Sequence, residues 1–98
     1  MFEIHEAFAF SNWLTDLRDR RCRRKITVRI QRLASGNFGD VKPVGGGVSE
    51  LRIFCGPGYR VYFVRRGMTV FLLLCGGDKD SQHADIAKAQ AMVRDLEG

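Results

Sequence analysis

The sequence has few cysteines and no recurring spacing among them. Cys22, Cys55 and Cys75 are odd in number and include no C-x-x-C pair. A structural zinc site needs four ligands at short spacings, and adding His5 and His83 to the scattered cysteines does not supply them. We therefore expect neither a metal site nor a cofactor. Such a set is typical of reduced thiols, so we predict three free cysteines in a cytoplasmic protein.

Long apolar runs and targeting signals are also absent. The run from Val70 to Cys75 is far shorter than the roughly 20 residues that span a bilayer. The N-terminal residues include Glu3 and Glu6 and show no targeting segment. We expect no membrane contact. A length of 98 residues predicts one domain, residues 1–98.

The usual hydrolase and nucleotide-binding motifs are missing as well. There is no G-x-S-x-G and no pair of carboxylates at helical spacing within one predicted helix, and Gly45–Gly47 precede a predicted strand rather than a helix. A protein without these motifs can still cleave RNA, because the 2′-hydroxyl of the RNA itself acts as the nucleophile. The protein then needs only to orient the RNA backbone and to stabilise the extra negative charge, which cationic side chains can do.

Basic residues are abundant and concentrated. Sixteen Lys and Arg oppose eleven Asp and Glu, a net charge of +5 that favours phosphate-rich partners. From Arg18 to Arg32 there are eight basic residues and one acid, Asp19. Neutralising phosphates releases counterions, so this block predicts a polyanion partner, and it does not distinguish RNA from DNA or from an acidic protein. A merely solvated helix face is the alternative. The predicted RNA-binding residues are Arg20, Arg21, Arg23, Arg24, Lys25, Arg29 and Arg32.

Apolar periodicity predicts the order of elements. A first helix over residues 7–18 carries Phe10, Trp13, Leu14 and Leu17 at i, i+3, i+4 and i+7. The remaining predicted elements are a short strand over 1–6, a helix over 19–33, a loop over 35–47, strands over 48–55, 59–66 and 69–75, and a helix over 82–96. Helices and strands in separate runs indicate an α+β fold with a small, mainly antiparallel sheet, two N-terminal helices and one C-terminal helix.

Strand alternation brings several polar side chains to one face of this sheet. If the helices cover one face, Glu50, Arg52, Arg60 and Tyr62 lie on the other, which we expect to be partly open. Lys79 lies after the last strand, just before a helix N-terminus that favours phosphate. Together with Tyr59 or Tyr62, these cations predict a phosphate-binding pocket. The alternative is that Arg52 pairs with Glu50 or Glu3 and only solubilises the sheet.

His83 is the remaining candidate for proton transfer. It lies in the first turn of the last predicted helix, whose positive end favours the neutral imidazole that a general base requires. A surface polar residue with no catalytic role is the alternative.

Four segments carry recognisable motifs: Gly36-Asn37-Phe38-Gly39-Asp40-Val41-Lys42-Pro43-Val44, Gly47-Val48-Ser49-Glu50-Leu51-Arg52-Ile53, Gly56-Pro57-Gly58-Tyr59-Arg60-Val61-Tyr62-Phe63 and Leu73-Leu74-Cys75-Gly76-Gly77-Asp78-Lys79. Together they resemble the RelE/ParE toxin superfamily, and within it the HigB-like group described as addiction module killer proteins. The resemblance implies a RelE-like fold and the toxin of a type II toxin–antitoxin system. It further implies a ribosome-dependent mRNA endonuclease (mRNA interferase) that inhibits translation without a metal. The implied partners are the ribosome, mRNA and a helix-turn-helix antitoxin, through which alone the toxin meets operator DNA.

The resemblance also suggests catalytic residues. Arg60 lies in the matching Gly58-Tyr59-Arg60 step, and Arg52 and Lys79 lie where relatives place basic residues. The last helix carries no terminal catalytic tyrosine, so Tyr59, Tyr62 and His83 all stay candidates for proton transfer. The superfamily also contains toxins that poison DNA gyrase. A gyrase poison and a non-catalytic co-repressor that acts with its antitoxin are therefore the alternative functions.

Overall fold

Apolar alternation and helical periodicity fold the chain into five strands and three helices, as seen in a computed structural model that describes residues 1–97. The elements are β1 (Glu3–Glu6), α1 (Phe8–Asp16), α2 (Arg20–Ala34), β2 (Val41–Gly45), β3 (Val48–Ile53), β4 (Tyr59–Arg66), β5 (Val70–Gly77) and α3 (Gln82–Glu97). Each predicted helix and strand is present, with bounds shifted by a few residues.

Local signals fix the ends of α2, the helix that carries most of the positive charge. Asp19 is its N-cap, and the carboxylate accepts a hydrogen bond from the backbone N–H of Cys22 at 3.1 Å. Gly36 follows the last turn with φ of 88°, a left-handed conformation that costs little without a Cβ. Both signals agree with the predicted helix, which lies within one residue of the observed one at each end.

The strands form a single sheet in the order β1-β5-β4-β3-β2. Three of the four pairings are antiparallel, and β1 pairs in parallel with β5. The predicted α+β class with a mainly antiparallel sheet is therefore confirmed.

The prediction of a loop over residues 35–47 is wrong in part, because β2 lies within it. Val41 pairs with Leu51 and Pro43 with Ser49, so β2 is the outer strand beside β3. Proline lacks a backbone donor and is tolerated on an edge strand, where one row of donors needs no partner. The strand was not predicted because Pro43 and the following glycines are typical of a loop. Its half-buried apolar residues are Val41 and Val44.

The prediction of a partly open sheet face is also wrong, because helices cover both faces. Phe10 of α1 and Ile26 of α2 pack with Leu51, Val61 and other residues on one face. On the other face, Ala89 and Val93 of α3 pack with Val48, Val64 and Leu74. The apolar stripe of α3 must be buried somewhere, and the second face of the sheet offers the matching apolar surface.

The cysteine prediction is correct for one residue and wrong for two. Cys22 and Cys55 form a disulfide, with Cα atoms 5.6 Å apart, whereas Cys75 is free and buried. The bond joins the first turn of α2 to the segment after β3, which are 33 residues apart in the chain. Only the packing of α2 on the sheet brings them together, so sequence spacing carried no sign of the pair. Burial raises the pKa of Cys75 to about 11.

None of the helices over residues 1–97 is long and apolar enough to cross a membrane.

Candidate functional site

The site is built on two neighbouring antiparallel strands. Arg52 of β3 lies directly opposite Arg60 of β4, and Glu50 lies opposite Tyr62 two residues away. Because side chains alternate along a strand, all four project from the face that α3 covers. Gln82, in the first turn of α3, reaches the same place. We call these five residues the Glu50 cluster.

The Glu50 carboxylate is fully buried and lies at the centre of this cluster. Its Oε1 accepts a hydrogen bond from Arg52 Nε at 3.0 Å. Its Oε2 accepts bonds from the Tyr62 hydroxyl at 3.1 Å and from Gln82 Nε2 at 2.9 Å. Arg60 Nε lies 3.6 Å from the same oxygen. A buried charge needs this density of donors to be tolerated.

These contacts set the ionisation of the cluster. Burial on its own raises the pKa of Glu50, but the hydrogen bonds from Arg52, Gln82 and Tyr62 outweigh it and hold the pKa below its ordinary value. Burial, together with the charge of Glu50 and its hydrogen bond, raises the pKa of Tyr62 well above its ordinary value. Glu50 is therefore a carboxylate and Tyr62 a neutral phenol at neutral pH.

Arg60 is held in place by Gly58 and Glu50, and one of its donor atoms makes no hydrogen bond within residues 1–97. Its side chain is 11% exposed, and its Nη1 donates a hydrogen bond to the carbonyl of Gly58 at 2.9 Å. Its Nε is buried and has no hydrogen-bond partner among residues 1–97. An unpaired buried donor costs free energy, and here the charge of Glu50 Oε2, 3.6 Å from this Nε, offsets part of that cost.

Lys79 lies beside Arg60, next to the turn that precedes β4. Gly58 in this turn has φ of 83°, and a Cβ added there would lie 3.5 Å from Arg60 Nη1 and 3.8 Å from Lys79 Cβ. The exposed Lys79 and the 31%-exposed Arg52 side chain give the site its contact with solvent. The structure thus brings together the three cations that the sequence singled out.

The three proton-transfer candidates lie in different surroundings. Tyr59 projects to the opposite face of the sheet and packs edge-on against Trp13, with ring centroids 6.0 Å apart. Tyr62 is fully buried within the Glu50 cluster. His83 is exposed and follows Gln82 in the first turn of α3.

The basic face of α2 is a separate surface. Its exposed cations are Arg20, Arg21, Arg24, Lys25 and Arg32. The other two predicted RNA-binding residues also serve the fold. Arg23 donates to the carbonyl of Leu17 at 3.2 Å. Arg29 donates to the carbonyls of Arg52 at 2.9 Å and Phe38 at 3.2 Å. Arg29 therefore links α2 to the strand that carries Arg52.

A known protein matches nearly the whole chain. An uncharacterized protein of Haemophilus influenzae is 45% identical over 94 residues, which cover 96% of this chain and 95% of that protein. The chain belongs to the same family as that protein. No family model matches the sequence.

Sequence reasoning missed the centre of the site. Glu50 was expected on an open face, and its pairing with Arg52 was only an alternative to catalysis. The pairing is present, but it is one contact of a buried network that also contains Gln82. The two-residue spacing of Glu50 and Arg52 on one strand was the available signal. Nothing in the sequence pointed to Gln82.

Among residues 1–97, no group of three His, Cys, Asp or Glu side chains forms a candidate metal site.

Proposed function

We propose that this protein is the toxin of a type II toxin–antitoxin pair and that it cleaves mRNA on the ribosome. The observation that carries the proposal is the placement of Arg52 opposite Arg60, with Lys79 beside the Gly58 turn that Arg60 contacts. The motif resemblance to the RelE/ParE superfamily and its HigB-like group supports it from the sequence.

In this proposal, Arg52 and Arg60 bind the scissile phosphate. Glu50 offsets one of their two charges, so the three groups together carry a charge of about +1, and Lys79 adds another. Arg60 is fixed by Gly58 and by Glu50 before any ligand arrives. Donors held in place in this way stabilise developing negative charge without reorganising, which is the main source of rate enhancement for such a reaction.

The reaction needs one nucleophile and two proton transfers. The ribose 2′-oxygen attacks the adjacent phosphorus and the bond to the 5′-oxygen breaks, which leaves a 2′,3′-cyclic phosphate and a 5′-hydroxyl. One proton leaves the 2′-hydroxyl, and solvent water supplies one to the departing 5′-oxygen. We assign the first transfer to His83, because Tyr62 is enclosed and Tyr59 lies on the other face of the sheet. Tyr62 positions Glu50 instead.

The exposed cations of α2 dock the protein on ribosomal RNA in this proposal, at a distance from the chemistry. Such contacts are sequence-independent and weaken with salt. The proposal places the protein in the cytoplasm. It also implies a helix-turn-helix antitoxin that binds the toxin and represses the shared operon.

The test is to map mRNA ends on translating ribosomes after adding purified protein. We expect cuts in phase with codons for the wild type and for Arg94→Ala, an exposed arginine of α3 outside the site. Arg52→Ala should lower the cleavage rate at least about 100-fold, the usual scale for removal of a transition-state donor. If folded protein binds the ribosomes but no cuts in phase with codons are found, the proposal is wrong.

Inhibition of DNA gyrase is the second candidate function. It is favoured because Tyr62 is enclosed and Tyr59 lies on the other face of the sheet, so that His83 alone among the three proton-transfer candidates is exposed. A supercoiling assay separates the two: gyrase inhibition with intact mRNA would support this alternative. A pure co-repressor would instead show no change in its effect on growth after Arg52→Ala and Arg60→Ala.

A further inference from the structure

A groove of about 400 Å³ lies between α2 and the end of β3, on the other side of β3 from the Glu50 cluster. We call it the Phe54 groove. Val28, Ile53 and Phe54 form its apolar part. Its cationic lining consists of Arg24, Lys25, Arg29 and Arg32, and no acidic side chain lines it.

Phe54 is the unusual member of this groove. Its side chain is 76% exposed, whereas Ile53 before it and Cys55 after it are buried. The disulfide from Cys55 to Cys22 ties this segment to α2. The aromatic ring is therefore presented to solvent by a backbone that is anchored on both sides.

The cations around Phe54 follow the geometry of one helix face. Arg24, Val28 and Arg32 are four residues apart, as are Lys25 and Arg29, so all five lie along the same side of α2. Arg29 is held by backbone carbonyls, while Arg24, Lys25 and Arg32 are exposed and available to a ligand.

An exposed aromatic ring beside a row of cations is the arrangement that binds single-stranded nucleic acid. Bases stack on the ring, and the cations follow the phosphates. The volume suits a single base, since it lies at the lower end of the range for small-ligand pockets. An acidic amphipathic helix also complements the charge, but it docks through several apolar anchors over successive turns. Here one aromatic ring and Val28 are the exposed apolar side chains, which favours a base.

We propose that the Phe54 groove binds single-stranded RNA, with one unstacked base on Phe54 and the adjacent phosphates on Arg24, Lys25 and Arg32. This inference rests on the RNA ligand of the proposed function, but it assigns a second binding site outside the cleavage residues. Arg29 donates to the Arg52 carbonyl, so the groove and the Glu50 cluster share strand β3. RNA in the groove would therefore lie close to the end of the strand that carries Arg52.

The experiment measures binding of a short fluorescein-labelled oligouridylate by anisotropy, without ribosomes. Phe54→Ala should weaken binding about tenfold, the usual effect of removing one stacking surface. Phe54→Trp should keep wild-type affinity because it retains a stacking surface. Phe8→Ala is the matched control: Phe8 is 87% exposed, lies on α1 and does not line the groove.

Salt dependence separates stacking from charge neutralisation. Arg24→Ala with Lys25→Ala should lower the slope of log affinity against log salt by about 0.7 for each phosphate that the protein no longer neutralises. Phe54→Ala should leave that slope unchanged. A 2-aminopurine placed within the oligonucleotide should be quenched by the wild type and by Phe54→Trp, but not by Phe54→Ala.

Two outcomes would overturn the inference. One is equal RNA affinity for Phe54→Ala and Phe8→Ala. The other is Phe54-dependent binding of an acidic amphipathic peptide with no binding of the RNA. The outcome is independent of cleavage, because the assay contains no ribosomes, and Arg94→Ala, an exposed residue outside both sites, should bind the oligonucleotide as the wild type does. Phe54-dependent binding without any ribosomal cleavage would refute the proposed function but would support RNA binding by the Phe54 groove.

Discussion

Arg52 and Arg60 are cross-strand partners, so two guanidinium groups leave the sheet from directly opposite positions on one face. Like charges in this arrangement destabilise a sheet. Glu50 lies two residues before Arg52 on the same face and contacts both side chains. The buried carboxylate is what allows the two cations to share one small region.

Glu50→Gln should therefore destabilise the protein. The substitution keeps the shape but removes the charge that Arg52 and Arg60 face, and breaking a buried ion pair costs about 3 kcal/mol or more. Urea unfolding would measure the decrease. Glu3→Gln is the control, since Glu3 is exposed and pairs with His5 at the surface, so its effect should stay within about 0.5 kcal/mol. Equal unfolding midpoints for the two variants would contradict the role given to Glu50.

Stability should fall on the acid side in a way that depends on Glu50. Its pKa is lower in the folded than in the unfolded chain, so the unfolded state binds more protons as the pH falls. The stabilisation is complete above the ordinary pKa of 4.5 and is lost as the pH drops through the folded value. Unfolding free energies measured across this window should decline less steeply for Glu50→Gln than for the wild type. Parallel curves for the two proteins would show that Glu50 does not titrate as described.

The Cys22–Cys55 bond should contribute substantially to stability. It closes a loop of 33 residues, for which the chain-entropy relation gives about 4 kcal/mol. Cys55→Ser or a reducing agent should lower the urea midpoint accordingly. Cys75→Ala, which leaves the bond intact, should respond to the reductant as the wild type does. Protein purified without reductant and then unfolded should show one reactive thiol, and a count of three would refute the bond.

Arg60→Lys should separate the chemical role of Arg60 from its structural one. Lysine keeps the charge near Glu50 but lacks the planar fork and its several donors. We expect cleavage to fall at least about tenfold while thermal stability changes little, whereas Arg60→Ala should lose both activity and about 2 kcal/mol of stability. Arg66→Lys, at the exposed end of β4, is the control for the same substitution. A lysine variant that melts like the alanine variant would make Arg60 chiefly structural.

The pattern of apolar residues was sufficient to predict most of the fold. The stripe of α2 and the alternation of β3 and β4 each have one clear period, so their positions followed directly. The position of β2 could not be predicted in this way, because Pro43 and the glycines after it have low strand propensity. Its pairing with β3 depends on tertiary structure. The second covered face was missed for a similar reason. The apolar stripe of α3 was visible, but the face of the sheet that it covers depends on tertiary packing.

The candidate site was predicted in its cations but not in its connections. Arg52, Arg60 and Lys79 could be grouped because short turns link their strands. The burial of Glu50, the reach of Gln82 and the Cys22–Cys55 bond all depend on helices packing against the sheet. Residues that meet across 32 or 33 positions in the chain leave no spacing signal in one sequence.

The parallel pairing of β1 with β5 has a consequence for the order in which a newly made chain can fold. Glu3 is opposite Val70, so the first strand pairs with residues 67 positions later in the chain (70 minus 3). Such distant pairing slows folding, because the chain must close a long loop first. Gln82 of α3 then completes the contacts of Glu50. The first strand and the cationic site are therefore both completed only after β5 and the start of α3 have been made, and a chain translated no further than β4 lacks the finished site.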